Sequence, residues 1–287
     1  MENILFRDTI GQIAVERIEC DYDFNMASKH FHNEYEIYYL LSGERYYFIE
    51  KKIHLVKRGS LVLIDRNQVH RTVASNNNYH DRIKILIPSK EISSILKLSK
   101  NIQVKSFFKN HSGIINLNEV GRKYVENILF FIIREMKMKH SNYEFVVKMK
   151  LVELLVYAIR CKNGESPALA NIPIKTEKHK KINEIAEYIS LNSHQKMSLA
   201  DIAESFFISK CYLSRIFKEV TGFTVNEYIN VIRIKRARKL LEMPEYNITE
   251  IADLVGYESI TYFEKVFKKY HEISPLKYRK NHIRKMS

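Results

Sequence analysis

The chain has 287 residues, a formal net charge of +14 and a 45% share of apolar side chains, enough for more than one buried core. Only 8 glycines and 5 prolines are present, which excludes collagen-like and low-complexity classes. The positive excess points to a polyanionic partner without locating it.

Three scattered cysteines, Cys20, Cys161 and Cys211, form no CxxC pair. That argues against a disulfide framework and fits a reducing compartment. The N-terminus lacks the apolar stretch of a signal peptide, and the longest strongly apolar run, ILFFII at 128–133, is too short to span a bilayer. The expectation is a cytoplasmic protein with no membrane partner.

Residues 1–112 read as a strand-rich domain. The stretch YEIYYLLSGERYYFIEKKIHLVKRGSLVLIDRNQVHRTV (35–73) is dense in aromatic and β-branched residues and is broken by SGE and KRGS. Many short strands in one unit predict a barrel or jelly roll. Within it, HFHNEYEIYYLLSG (30–43) spaces His30-x-His32, three residues, Glu36, six residues and Gly43. This resembles the first cupin motif. A second motif is matched by GSLVLIDRNQVH (59–70), with His70 at its histidine but Asp65 and Asn67 where Pro and Gly are usual. Two chemistries are open for His30, His32, Glu36 and His70. Imidazoles and a carboxylate suit a divalent metal, or the same groups hydrogen-bond a small polar molecule. Tyr38 and Tyr47 are candidates for stacking on such a molecule, since tryptophan is absent.

Residues 113–161 read as helical. One apolar stripe is predicted through Leu117, Val120, Tyr124, Ile128, Phe131 and Ile132. A second runs through Phe145, Val146, Met149, Val152, Leu155, Val156 and Ile159. The stripes are wide, so one face is expected on the barrel and another against a second subunit. Residues 162–180, KNGESPALANIPIKTEKHK, have linker composition.

The last third, 181–287, contains a repeat. SLADIAESFFISKCYLSRIFKEVTG (198–222) returns as NITEIADLVGYESITYFEKVFKKYHE (247–272), at an offset of 49 that becomes 50 after the turn. A repeat of this period signals a duplicated supersecondary unit. Ser198 with Asp201, and Asn247 with Glu250, predict capped helix starts. Ser209 starts a second helix, which Gly222 closes. Two short helices around a tight turn make a helix-turn-helix. Thr224 with Glu227 opens a further helix, 225–241, that spans roughly 25 Å and spaces the two units. That span suits recognition helices held near one DNA turn, about 34 Å, apart.

The doubled unit with its spacer resembles the DNA-binding domain of the AraC/XylS family of bacterial transcription regulators over 181–281. The resemblance implies that both second helices enter the major groove. The first would present Ser209, Lys210, Cys211, Ser214, Arg215 and Lys218. The second would present Ser259, Ile260, Thr261, Glu264, Lys265 and Lys268. Arg215 is expected to read guanine, Lys218 and Lys268 to hold phosphate. Ile260 and Lys265 depart from the family's usual residues, and Glu272 replaces an expected glycine, so the second unit is expected to read less sharply. The resemblance also makes the barrel an effector sensor, with a sugar or related metabolite as ligand. It implies an activator rather than an enzyme, acting as a homodimer on double-stranded operator DNA with RNA polymerase, and needing no cofactor. The alternative is a metal-dependent cupin enzyme fused to a DNA-binding domain. The fold expected is α+β: a cupin-like barrel with a helical dimerisation segment, then an all-α double helix-turn-helix domain.

Overall fold

The computed structural model describes residues 2–22, 31–75, 78–96, 104–166, 168–169 and 176–283. They fall into two compact units, divided close to residue 174.

The first unit is built on an antiparallel sheet. Its elements in order are β1 (Glu2–Ile10), β2 (Ile13–Cys20), β3 (Glu34–Ile49), β4 (Lys52–Lys57), β5 (Ser60–Ile64), β6 (His70–Ala74) and β7 (His80–Pro88). Then come α1 (Ser89–Leu96), α2 (Val104–His111), β8 (Gly113–Leu117), α3 (Glu119–Met138), α4 (Tyr143–Lys162) and β9 (Ala168–Leu169). Neighbours run β1-β2-β7-β3-β5-β8-β9, with β4 and β6 also pairing with β3.

Strand β3 organises this unit. Its first part pairs with β5 and β7, its last part with β6, and the register shifts between Leu40 and Ser42. Gly43 sits at that bend with φ +88, and a Cβ there would lie 2.3 Å from the Tyr79 carbonyl oxygen. Glycine is required both by conformation and by space.

Side chains alternate across the sheet. Tyr35, Ile37 and Tyr39 join Leu61, Leu63, Ile83, Ile85 and Ile87 on one face, where they share a core with Ile128, Ile132, Leu151 and Leu155 of α3 and α4. Tyr38 and Leu40 join Tyr47, Val62, Ile64 and Ile114 on the other. The sequence of β3 looks apolar throughout because both faces are covered.

Helices α3 and α4 form, but their inward faces differ from the predicted stripes. The buried residues of α3 are Gly121, Val125, Ile128, Leu129, Ile132, Ile133 and Met136. Val120 and Tyr124 are 68% and 40% exposed, and Phe145 of α4 is 63% exposed. Both helices carry apolar residues nearly all round, so periodicity did not fix the phase; packing on the sheet did. Residues 113–117 extend the sheet rather than a helix, and Ala168–Leu169, within the linker-like stretch, pair with Asn116 and Leu117.

The second unit is all helical: α5 (Glu177–Asn192), α6 (Leu199–Ser205), α7 (Lys210–Thr221), α8 (Val225–Leu241), α9 (Ile248–Leu254), α10 (Ile260–His271) and α11 (Pro275–Ile283). The capping boxes form at Ser198–Asp201, Thr224–Glu227 and Asn247–Glu250. Phe223 and Tyr228 pack across the start of α8 with ring centroids 6.1 Å apart. Glu272 ends α10 at φ 65, the left-handed cap that Gly222 supplies to α7. The extra residue of the second copy falls in the α9–α10 turn.

Glycine positions give a graded test. Gly164 also has positive φ, +77, but nothing lies within 4 Å of its Cβ position. Gly43→Ala is expected to cost about 3 kcal/mol, and Gly164→Ala about 1 kcal/mol. Urea unfolding followed by circular dichroism measures both; equal costs would refute the close approach at Gly43.

Candidate effector site and nucleic-acid interface

Glu36 is the most deeply placed acid of the first unit, 1% exposed on the face of β3 opposite the helices. A buried carboxylate survives only with partners. The Tyr47 hydroxyl donates to its Oε1 at 2.8 Å. Nε2 of His32 lies 3.2 Å from Oε2, and Nε2 of His70 lies 3.6 Å from the same oxygen. Burial opposes ionisation of Glu36, but His70 and His32 outweigh it and hold its pKa well below the usual range. Burial likewise opposes the charged form of His32, and Glu36 overcomes it, so the His32 pKa is raised. Burial and the Glu36 charge push the Tyr47 phenol well up.

Nδ1 of each histidine faces a backbone carbonyl, Glu34 at 3.2 Å for His32 and Gln68 at 2.8 Å for His70. Each therefore turns Nε2 toward Glu36, the orientation in which backbone carbonyls set imidazoles for a metal. One donor atom from each of His32, Glu36 and His70 lies within 4.8 Å of the others. Two donors about 2.1 Å from a tetrahedral ion are about 3.4 Å apart, and the observed separations of 3.2 and 3.6 Å bracket that edge. The three side chains fit a divalent cation, which would act there as a Lewis acid or as a bridge to a polar ligand. His30, the fourth residue of the motif, lies outside the described residues.

More polar groups share this face. The Tyr38 hydroxyl is buried and has no hydrogen-bond partner among the described residues. Its ring meets Tyr47 edge-on at 5.3 Å. Arg82 and Lys84 of β7 both reach Glu16 of β2, at 2.9 and 3.1 Å. Arg45 Nη1 lies 3.4 Å from Nδ1 of His80, both buried. Sequence reading placed Tyr38, Tyr47, His32, Glu36 and His70 here. It missed Glu16, Arg45, His80, Arg82 and Lys84, which the pairing of β7 with β2 and β3 brings in. Only the alternation of His80, Arg82 and Lys84 along β7 could have marked them.

In the second unit, the residues expected to meet DNA stand clear of the core. On α7, Leu213, Ile216, Phe217 and Val220 are buried, while Lys210, Cys211, Ser214, Arg215 and Lys218 are exposed. On α10, Phe263, Val266 and Phe267 are buried, while Ile260, Thr261, Glu264, Lys265 and Lys268 are exposed. Ser209 and Ser259 are the N-caps, accepting from the backbone N–H of Tyr212 and Tyr262. Two aromatic residues were missed: Tyr212 and Tyr262 are 39% and 50% exposed on the same helices. The Arg215 guanidinium lies 5.8 Å from the Tyr212 ring centroid, a contact that orients it. Among the described residues, no helix is long and apolar enough to cross a membrane.

A sheet module with a polar buried cluster, followed by two helix-turn-helix units on one spacer helix, defines a ligand-responsive DNA-binding regulator. Family comparison agrees: an AraC-like ligand binding domain matches residues 12–145, and a helix-turn-helix domain matches residues 202–281. The chain belongs to the AraC family of transcription regulators. The HTH-type transcriptional activator RhaR of Mannheimia succiniciproducens is 23% identical over 95% of this chain and 93% of its own length. The Msm operon regulatory protein of Streptococcus mutans is 36% identical over 34% of this chain, and the match spans 36% of that protein. A crystal structure of apo ToxT from Vibrio cholerae covers 95% of this chain at 19% identity with a TM-score of 0.41, too slight a likeness to carry weight.

His80 makes the sheet unit acid-sensitive. Burial, and then the charge of Arg45, lower its pKa from 6.5 to about 4. A base with a depressed native pKa binds its proton first in the unfolded chain, so this group destabilises the fold as pH falls from 6.5 toward about 4. The loss is expected to reach about 3 kcal/mol, and His80→Gln is expected to flatten that part of the pH–stability curve. An unchanged slope in the variant would contradict the burial of a neutral His80.

Proposed function

We propose that the chain is a one-component regulator whose sheet unit takes up a small polar effector beside Glu36. The observation that supports this most is a fully buried carboxylate next to a buried Tyr38 hydroxyl without a hydrogen-bond partner among the described residues, inside a module that matches ligand-binding domains. His32, Glu36, Tyr38 and His70 are the proposed contacts, with His30 the further motif residue. A sugar or related metabolite suits them, because hydroxyl groups can both donate to the carboxylate and accept from the phenol.

The proposed division of labour is sensing by 1–117, subunit pairing by the helices of 118–161, linkage by 162–175 and DNA binding by 176–287. The exposed Val120 and Tyr124 of α3 and Phe145 of α4 supply apolar surface for a second copy. The cysteines are free, in keeping with work in the cytoplasm. The proposed role is an activator that presents operator-bound protein to RNA polymerase, and not an enzyme. Effector binding would shift which arrangement of two paired DNA-binding units is populated, provided it binds those arrangements unequally.

A second reading, a metal-dependent cupin enzyme with a DNA-binding tail, draws on the donor geometry of His32, Glu36 and His70. Stoichiometric divalent metal in the purified protein, lost on His32→Ala, would favour it.

Selection of bound duplexes from a random library tests the DNA reading. Arg215→Ala is expected to relax base preference at one position, at a cost of about 1–3 kcal/mol. Lys218→Ala is expected to weaken all sequences alike and to reduce the slope of log affinity against log salt by about 1. The reverse assignment of effects would overturn these roles.

A further inference from the structure

The doubled unit contains its own control experiment. Through the offset of 49, Phe207 of the first turn corresponds to Gly256 of the second. Both have left-handed backbone, φ 54 and φ 94. Both turns close with the same two hydrogen bonds. Phe207 N–H donates to Glu204 and Ile208 N–H to Ala203, each at 3.0 Å; Gly256 N–H donates to Asp253 and Tyr257 N–H to Ala252, each at 2.9 Å. The turn itself thus accepts a full aromatic side chain, and Phe207 is 96% exposed. At Gly256 the wider φ of +94 already strains any side chain, and the neighbouring segment leaves no space for one. A Cβ there would lie 2.7 Å from the Ser193 carbonyl oxygen and 3.0 Å from the carbonyl of His194. The turn of the second unit is pressed onto the segment that leads into the first.

Arg233, midway along α8, fastens this joint. Its Nε donates to the Ser193 carbonyl at 2.8 Å and its Nη2 to the Gln195 carbonyl at 2.9 Å. Its guanidinium lies 5.3 Å from the ring centroid of Tyr257, in the second turn. Tyr257 is buried, and its hydroxyl donates to Asn230 at 2.9 Å, one turn earlier on α8. The Asn230 amide reaches the Tyr262 hydroxyl on α10 at 3.4 Å. Lys196 and Glu258 close the outer side with an ion pair at 2.9 Å. The joint thus ties the approach to α6 and α7, the middle of α8 and the start of α10 into one contact set.

We propose that Arg233 is the positioning residue that fixes α7 and α10 relative to one another, and with them the half-site spacing the protein accepts. A planar fork gripping two carbonyls while stacked on a ring has one geometry. A lysine ammonium is a point charge that cannot reproduce the fork and the stack together. Gly256 is the complementary half, because only glycine lets the two segments meet. The proposal rests on α7 and α10 both entering the major groove.

The test measures binding of the full chain to duplexes whose half-sites are moved apart or together by one and two base pairs. Wild type, Arg233→Lys, Arg233→Gln and Gly256→Ala are compared, with circular dichroism reporting the fold. Wild type is expected to favour one spacing over its neighbours by about tenfold or more. Arg233→Lys and Gly256→Ala are expected to reduce that preference to about threefold or less, while binding to the first half-site alone stays within about twofold. A uniform loss at every spacing, with the preference intact, would make Arg233 a residue of general stability and overturn the proposal. So would an unchanged preference in the folded variants. If Arg233→Gln fails to fold, the lysine and alanine variants decide. A wild-type protein indifferent to spacing would overturn instead the two-helix reading beneath the proposal.

Discussion

The second unit depends on the burial of α8. Val225, Tyr228, Ile229, Val231, Ile232, Ile234, Ala237 and Leu241 are all buried, so the helix is enclosed on most of its circumference. A helix with apolar residues on several sides needs cover on each of them, and here α8 is the shared core of two helix-turn-helix units. Tyr228 touches both neighbours of its own half: its ring packs against Phe217, and its hydroxyl reaches the Ala186 carbonyl of α5 at 3.4 Å. With α8 immobilised, α7 and α10 bury only their own apolar stripes and leave the opposite stripes free. The proposed reading of DNA at two places depends on that division, since an exposed basic stripe on a loosely held helix would have no fixed register.

The first unit solves a different problem, that of keeping charge inside a sheet. Glu36 is held by a phenol and two imidazoles, and Glu16 is shared by Arg82 and Lys84. Each arrangement offsets the desolvation of its charges only while every partner is present. Removing one partner leaves a buried charge exposed to its full cost, which makes such a cluster responsive to anything that binds within it. Purely structural packing would be served more cheaply by apolar side chains. The polar interior is the recognition surface proposed for the effector, and it includes Tyr38, whose buried hydroxyl has no hydrogen-bond partner among the described residues.

Much of this was legible in the sequence, for reasons that differ by region. The helix-turn-helix repeat is local. Each cap, stripe and turn is written within four residues, so Ser198, Thr224 and Asn247 announced their helices and Val225–Leu241 matched its expected bounds. The motif spacing placed His32, Glu36 and His70 together because Glu36 lies on β3, His32 just before it and His70 on β6, which pairs with β3. What stayed hidden depends on long-range pairing. The inward faces of α3 and α4 were misread at Val120, Tyr124 and Phe145 because apolar residues surround both helices. Helices α1 and α2 are amphipathic but only 8 residues long each, and the strand reading of the first domain passed over them. Arg82 and Lys84 belong to no motif, and only the pairing of β7 with β2 brings them to Glu16. Arg233 sits at the one place on α8 where an arginine meets two carbonyls from a segment 38 to 40 residues away, and no local pattern marks it.

The central claim is that one rigid spacer presents two reading helices to the same face of DNA. Hydroxyl-radical footprinting of the full chain on a selected high-affinity duplex addresses it directly. The account predicts two protected segments on one face of the helix, about ten base pairs apart centre to centre. Protection confined to one segment, or two segments on opposite faces, would contradict it.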